Sequence, residues 1–159
     1  LKHPPKIRFV RLTDVALEDI VLHMNTPRVA EHMPLLGAKW TLDDARQFVA
    51  AKEEYWQRDG LGHWAVLSDE AYVGWGGFQK EGTEWDFGLV LTPGNFGLGM
   101  LISRKAIAFA KADPRIEFVT VLLPPSRRNL GALVRAGAKF TKDIEYDGQV
   151  FRKYRLETS

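Results

Sequence analysis

The sequence has no cysteine among its 159 residues, which excludes disulfides, thiolate nucleophiles and most zinc sites, and suits a reducing compartment. It also lacks an excess of either charge: 22 basic against 20 acidic side chains leave a net +2. That balance is too even to mark a nucleic-acid partner, and no aromatic-basic nucleic-acid motif is present. Long hydrophobic runs are missing as well. No segment approaches the roughly 18 continuous apolar residues of a membrane span, so no membrane partner is expected. The opening "LKHPPKIRFV" is too polar for a signal peptide, and the expected location is the cytoplasm. Repeats, low-complexity tracts and linkers are absent, and the length suits one domain over residues 1–159.

What is there alternates between the two hydrophobic periods. "IRFVRL" from Ile7 reads as a half-buried strand. Thr13 or Asp14 is expected to cap a helix whose apolar face is Leu17, Ile20, Val21 and Met24, ended by Asn25-Thr26-Pro27. "PRVAEHM" predicts a short helix opening on Pro27. "TLDDARQFVAAKEEYWQRDG" predicts a long one, with Thr41 and Asp44 as a capping pair, Gly60 past the last turn, and a face of Ala45, Phe48, Val49 and Tyr55 or Trp56. Three strand-like runs follow, His63–Ser68, Tyr72–Gln79 and Glu84–Leu91, the pattern of an antiparallel meander. A helix over about Leu98–Ala112 and the apolar run "EFVTVLL" then predict a parallel crossover. A short helix near Gly137 and a hairpin around Asp147-Gly148 close the chain. The expected fold is thus α/β: a mixed, mostly antiparallel sheet flanked by helices, with one parallel crossover.

Between strand and crossover helix stands "TPGNFGLGM", with Gly94, Gly97 and Gly99 at a helix start. Amides there point outward unpaired and the helix dipole adds positive potential, so a glycine-rich entry suits phosphate groups. A Walker A loop would end in Gly-Lys-Ser/Thr; here Gly99 is followed by Met100 and Leu101. A dinucleotide fingerprint would run G-x-G-x-x-G with an acid on the next strand, and neither feature is present. A tight turn in which glycine merely allows close helix packing is the alternative.

Element order and three local stretches resemble the GNAT superfamily of N-acetyltransferases over nearly the whole chain. "NTPRVAEHM" with "TLDDARQFV" resembles the acceptor-side helices of the branch that acetylates ribosomal-protein N-termini. "WDFGLVLTPGNFGLGM" resembles the fourth strand and pyrophosphate loop, and "PSRRNLGALVRAGAKF" the last helix and following strand. The resemblance implies acetyl-CoA as co-substrate. Its pyrophosphate would lie on the amides of Asn95, Phe96, Gly97, Leu98, Gly99 and Met100. Gly97 and Gly99 match the family loop, while Gly94 replaces its Arg or Gln. The pantetheine arm would pair with backbone at Leu89, Val90 and Leu91, and Ser126 and Asn129 stand, exchanged, where the family has Asn and Ser facing CoA.

The resemblance also places Asp86 where that branch often carries a glutamate base. Strand alternation puts Glu84 on the same face, where each carboxylate would raise the other's pKa. The family's frequent acid, a tyrosine in the last helix, has no counterpart. The implied reaction is direct acetyl transfer to a primary amine, a protein N-terminus or a small molecule; an acyl-CoA-binding or regulatory module without turnover is the rival reading. Neither excludes a homodimer. The four histidines lack metal-site spacing, so no metal is expected, and the five tryptophans read as core and cleft walls, with Trp40 and Trp75 candidates for the acceptor side.

Overall fold

The computed structural model describes residues 3–27, 29, 39–125 and 131–159. Seven strands form one sheet in the order β1-β2-β3-β4-β5-β7-β6. They are β1 (Ile7–Arg11), β2 (His63–Ser68), β3 (Ala71–Glu81), β4 (Glu84–Leu91), β5 (Phe118–Leu123), β6 (Lys139–Tyr146) and β7 (Gln149–Glu157). The helices are α1 (Leu17–Met24), α2 (Leu42–Asp59), α3 (Gly99–Ala112) and α4 (Gly131–Arg135). β4 and β5 run parallel, while β1 with β2, β2 with β3, β5 with β7 and β6 with β7 are antiparallel. The mixed, mostly antiparallel sheet with one crossover is the expected architecture.

The chain divides into two compact units, the first running to Gly77 and including Leu89–Gly99, the second comprising Phe78–Gly88 and Met100–Ser159. In the first, Ile20 and Met24 of α1 and Ala45 and Val49 of α2 are buried with Leu12, Ala65 and Trp75 in one apolar cluster. α2 starts as its sequence dictates. The Thr41 hydroxyl accepts from the Asp44 amide at 3.2 Å, the Asp44 carboxylate accepts from the Thr41 amide at 2.8 Å, and Gly60 ends the helix at φ 75°.

α1 starts differently from expectation. Thr13 and Asp14 do not cap it; they lie in a 3-10 turn, Leu12–Asp14, and the N-cap is Ala16, which makes no side-chain cap hydrogen bond. The reason is tertiary: the turn carries Leu12 into the core at 1% exposure, and Val15 and Ala16 must then run extended before helix can begin. β3 is also longer than expected, from Ala71 to Glu81. The short helix foreseen in "PRVAEHM" lies outside the described residues except for Pro27 and Val29.

In the second unit, Ile102, Ala106 and Ala110 form the buried face of α3 at four-residue spacing. Phe78, wholly buried, meets the rings of Phe87 and Phe109 at 5.3 and 6.3 Å. Asp147 and Gly148 both take positive φ, 50° and 77°, as the two-residue hairpin turn between β6 and β7 requires.

Candidate active site

Strand alternation on β4 sends Trp85 and Phe87 into the core and leaves Glu84, Asp86 and Gly88 half-buried on the opposite face. Parallel pairing with β5 covers Trp85 to Phe87 and sets Asp86 beside Thr120. Thr120 is 2% exposed, and its hydroxyl stands 3.1 Å from Asp86 Oδ1 and 3.4 Å from the Trp85 carbonyl. Burial pushes the Asp86 carboxyl up from 3.8 to about 7; the hydrogen bond from Thr120 opposes this, Glu81 adds to it, Lys153 opposes and Glu84 adds. Glu84 shares the face of Asp86 as alternation demands, but its carboxylate is ion-paired with Lys153. Loss of water, more than repulsion between the two acids, is what perturbs Asp86.

In the first unit, β4 runs into the glycine loop past a close backbone contact. A Cβ on Gly74 would sit 2.4 Å from the Val90 carbonyl oxygen and 2.9 Å from Leu91 Cα, so only glycine fits there. Leu89 and Val90 are half-buried and Leu91 is buried. Thr92 then pins the turn: its amide donates to the Val73 carbonyl at 2.8 Å, and its hydroxyl accepts from Asn95 Nδ2 at 2.7 Å.

The three glycines of the loop separate into two kinds. Gly94 has φ 88°, a left-handed conformation that favours glycine. Gly97 and Gly99 have no such need. Among the described residues, nothing lies within 4 Å of where a Gly97 Cβ would be, and a Gly99 Cβ would meet only Leu91 Cδ1 at 3.7 Å. Close helix packing therefore does not account for them. The backbone narrows the expected cradle: the amides of Asn95 and Leu98 donate to Thr92 and Asn95 carbonyls, each at 3.0 Å, and the Gly99 amide donates to Phe96. Phe96 and Met100 expose much of their apolar side chains beside this turn. Ser126 and Asn129 lie outside the described residues.

Two groups that the sequence did not single out occupy the first unit's interior. His23 on α1, 1% exposed, is hydrogen-bonded through Nδ1 to the Tyr72 hydroxyl at 2.7 Å. Its Nε2 has no hydrogen-bond partner among the described residues. Burial lowers its pKa, and the nearby Leu91 backbone offsets part of the shift. His63 is buried against Trp75, its Nδ1 without a hydrogen-bond partner among the described residues, and burial, then Lys52, hold its pKa well below 6.5. Trp75 is a core residue whose indole N–H points at Met24 sulfur, 3.3 Å away. Trp40 is half-buried, its backbone held by both amide atoms of Asn25 and its ring edge-on to Phe48. Reading histidines only as metal ligands hid this pair; Thr120 had a usable signal, as the single hydroxyl in "EFVTVLL".

No family model and no curated protein sequence matches the chain. Solved structures do. A Bordetella pertussis protein described as a GnaT-family acetyltransferase superposes with a TM-score of 0.75 at 17% identity, over 98% of each chain. The aminoglycoside acetyltransferase AAC(6')-Ib in complex with coenzyme A gives a TM-score of 0.72 at 15% identity, over 97% of this chain and 95% of that one. Spermidine N-acetyltransferase from Vibrio cholerae, in complex with CoA and spermine, gives 0.72 at 9% identity, over 97% and 95%. The chain has the GNAT acetyltransferase fold.

Proposed function

We propose that this chain is an acetyl-CoA-dependent N-acetyltransferase that delivers acetyl to a primary amine by direct attack within a ternary complex. The observation that carries the reading is the open space at Gly97: neither its backbone conformation nor any neighbour among the described residues requires glycine, yet it stands two residues before the fourteen-residue helix α3. A side chain there would intrude where an anion approaches the helix start. Two neighbours with this fold hold coenzyme A.

The residues divide the work. Acetyl-CoA supplies the acyl group already activated as a thioester. The amides of Phe96, Gly97 and Met100 are the donors offered to its diphosphate. Asn95, Leu98 and Gly99, whose amides are engaged internally, shape the turn instead of donating. Leu89 to Leu91 offer main chain to the pantetheine arm, and Ser126 and Asn129 keep the role their positions suggest. Asp86, pushed up to about 7, is about half ionised at neutral pH, so it can take the proton that the amine loses as the new C–N bond forms. Glu84, paired with Lys153, sets the local charge and is not the base. The acceptor is an amine, as for the spermidine and aminoglycoside enzymes, either a small molecule or a protein N-terminus.

A binding module without turnover is the second reading. It is favoured by residues 126–137, which contain no tyrosine to protonate a departing thiolate. Thermal denaturation with acetyl-CoA, NAD and ATP tests both, because at a hundredfold excess over Kd a selective ligand adds about 2.7 kcal/mol to stability. Acetyl-CoA alone should raise Tm. Gly97→Val should keep the ligand-free Tm and lose most of that rise. Thiol release with a panel of amines and N-terminal peptides then separates enzyme from binder, and Asp86→Asn should bind acetyl-CoA while slowing transfer by about 10² to 10⁴. No response to acetyl-CoA overturns both readings.

A further inference from the structure

Asp86 must exist in two protonation states if it is to accept a proton and give it up, and each state needs a different hydrogen bond in a buried place. One hydroxyl stands within reach of both requirements. Thr120 Oγ1 lies 3.1 Å from Asp86 Oδ1 and 3.4 Å from the Trp85 carbonyl oxygen, on a strand held in register by the pairing of Asp86 with Thr120. Resting on the transferase reading, we infer that Thr120 is a positioning residue whose hydroxyl turns between Asp86 and the Trp85 carbonyl as the carboxyl loses and gains its proton.

The states balance without any further reactant. With Asp86 ionised, the Thr120 hydroxyl donates to Oδ1. When the carboxylate takes a proton from the amine, that proton is donated to Thr120 Oγ1, and the hydroxyl's own hydrogen swings to the Trp85 carbonyl. No proton leaves Thr120, and the carboxyl is hydrogen-bonded throughout. Nothing else on β5 beside Asp86 titrates. The charged groups that act on it are Glu81 on β3, Glu84 on its own strand β4 and Lys153 on β7. Arg155, opposite Thr120 on β7, is turned away onto Phe118 and Glu157.

A hydrogen bond given to an ionised carboxylate is stronger than one received from a neutral carboxyl, so the hydroxyl as a whole favours the ionised form. Thr120→Val, which keeps shape and removes the hydroxyl, should therefore move the Asp86 titration up by about one pH unit. The titration is read directly from the ¹³C resonance of the Asp86 carboxyl in the protein alone, assigned with Asp86→Asn. The acid limb of the acetyl-transfer profile should move by the same amount, giving about fivefold slower transfer at pH 7 and little loss at pH 9.5. Thr120→Ser should restore both.

An unmoved Asp86 resonance in Thr120→Val overturns the inference even if acetyl-CoA still raises Tm. A uniform loss of rate at every pH, with Ser no better than Val, would make Thr120 merely a packing residue and overturn it as well. Failure of the transferase reading looks different: acetyl-CoA then has no effect on Tm in the unsubstituted protein.

Discussion

Three buried titratable side chains pull the acid stability of this protein in opposite directions. His23 and His63 have pKa values lowered by burial. Between about 6.5, the value for a solvated imidazole, and those lower folded values, the unfolded chain binds more protons, and stability falls as pH falls. Asp86 works the other way. Its carboxyl is pushed up from 3.8 to about 7, so in that interval the folded protein binds more protons and stability rises as pH falls. Each fully differential group is worth about 1.4 kcal/mol per pH unit. Between about pH 7.5 and 5.5 the histidines' demand is opposed by Asp86, so the unsubstituted protein should change little in stability and Asp86→Asn should lose stability more steeply as pH falls. Urea midpoints at several pH values measure both slopes. Parallel curves for the two proteins would mean that Asp86 ionises as a solvated carboxyl does. The sequence pattern points to a raised Asp86 pKa through Glu84 on the same strand face, but not to burial as the larger cause nor to the histidines, because a side chain looks alike in sequence whether buried or solvated. Their pKa values belong to the packing around them.

Helix starts show where local chemistry decides structure and where it is overruled. At Thr41 the cap and its reciprocal partner Asp44 lie three residues apart in sequence and meet in space as a capping box. Nothing beyond four consecutive residues was needed to foresee it. At Thr13 and Asp14 the same residue types were overruled, because burial of Leu12 fixes a 3-10 turn first and leaves Ala16 at the cap without a side-chain bond. The glycine loop falls between these cases. Three glycines at a helix start were legible as a candidate anion site, but only the folded structure distinguishes Gly94, required by its left-handed backbone, from Gly97, which nothing among the described residues requires. Since the Thr41 cap is made entirely by side-chain oxygens and amides at the helix start, Thr41→Ala should cost about 1 kcal/mol. Thr13→Ala, at a residue that caps no α-helix, should cost less. Chemical denaturation of the two variants makes the comparison, and equal losses would remove the capping account of α2.

Across the whole chain, the strands were legible because period-two patterning and turn residues are local, and the parallel crossover followed from strand, helix and buried strand in succession. The insertion of β7 between β5 and β6 was not legible. It depends on pairs such as Val119 with Leu156 and Val121 with Tyr154, whose partners are distant in sequence and chosen by shared burial. β3 and β4 add a constraint of their own, since each strand runs from one compact unit into the other, with the divisions after Gly77 and after Gly88. Unfolding one unit would cut two continuous strands, and although residues 71–77 keep β2 and residues 85–87 keep β5, each remaining half would end in the middle of a strand and fray there. We therefore propose that the chain unfolds as a single domain. Trp40, Trp56, Trp64 and Trp75 belong to the first unit and Trp85 to the second, so indole fluorescence follows chiefly the first. Amide exchange at Val119, Val121 and Tyr154 follows the second. In a urea series both should give one midpoint and one slope, as two-state behaviour demands. Separate midpoints would show that β3 and β4 can be divided between independently stable halves.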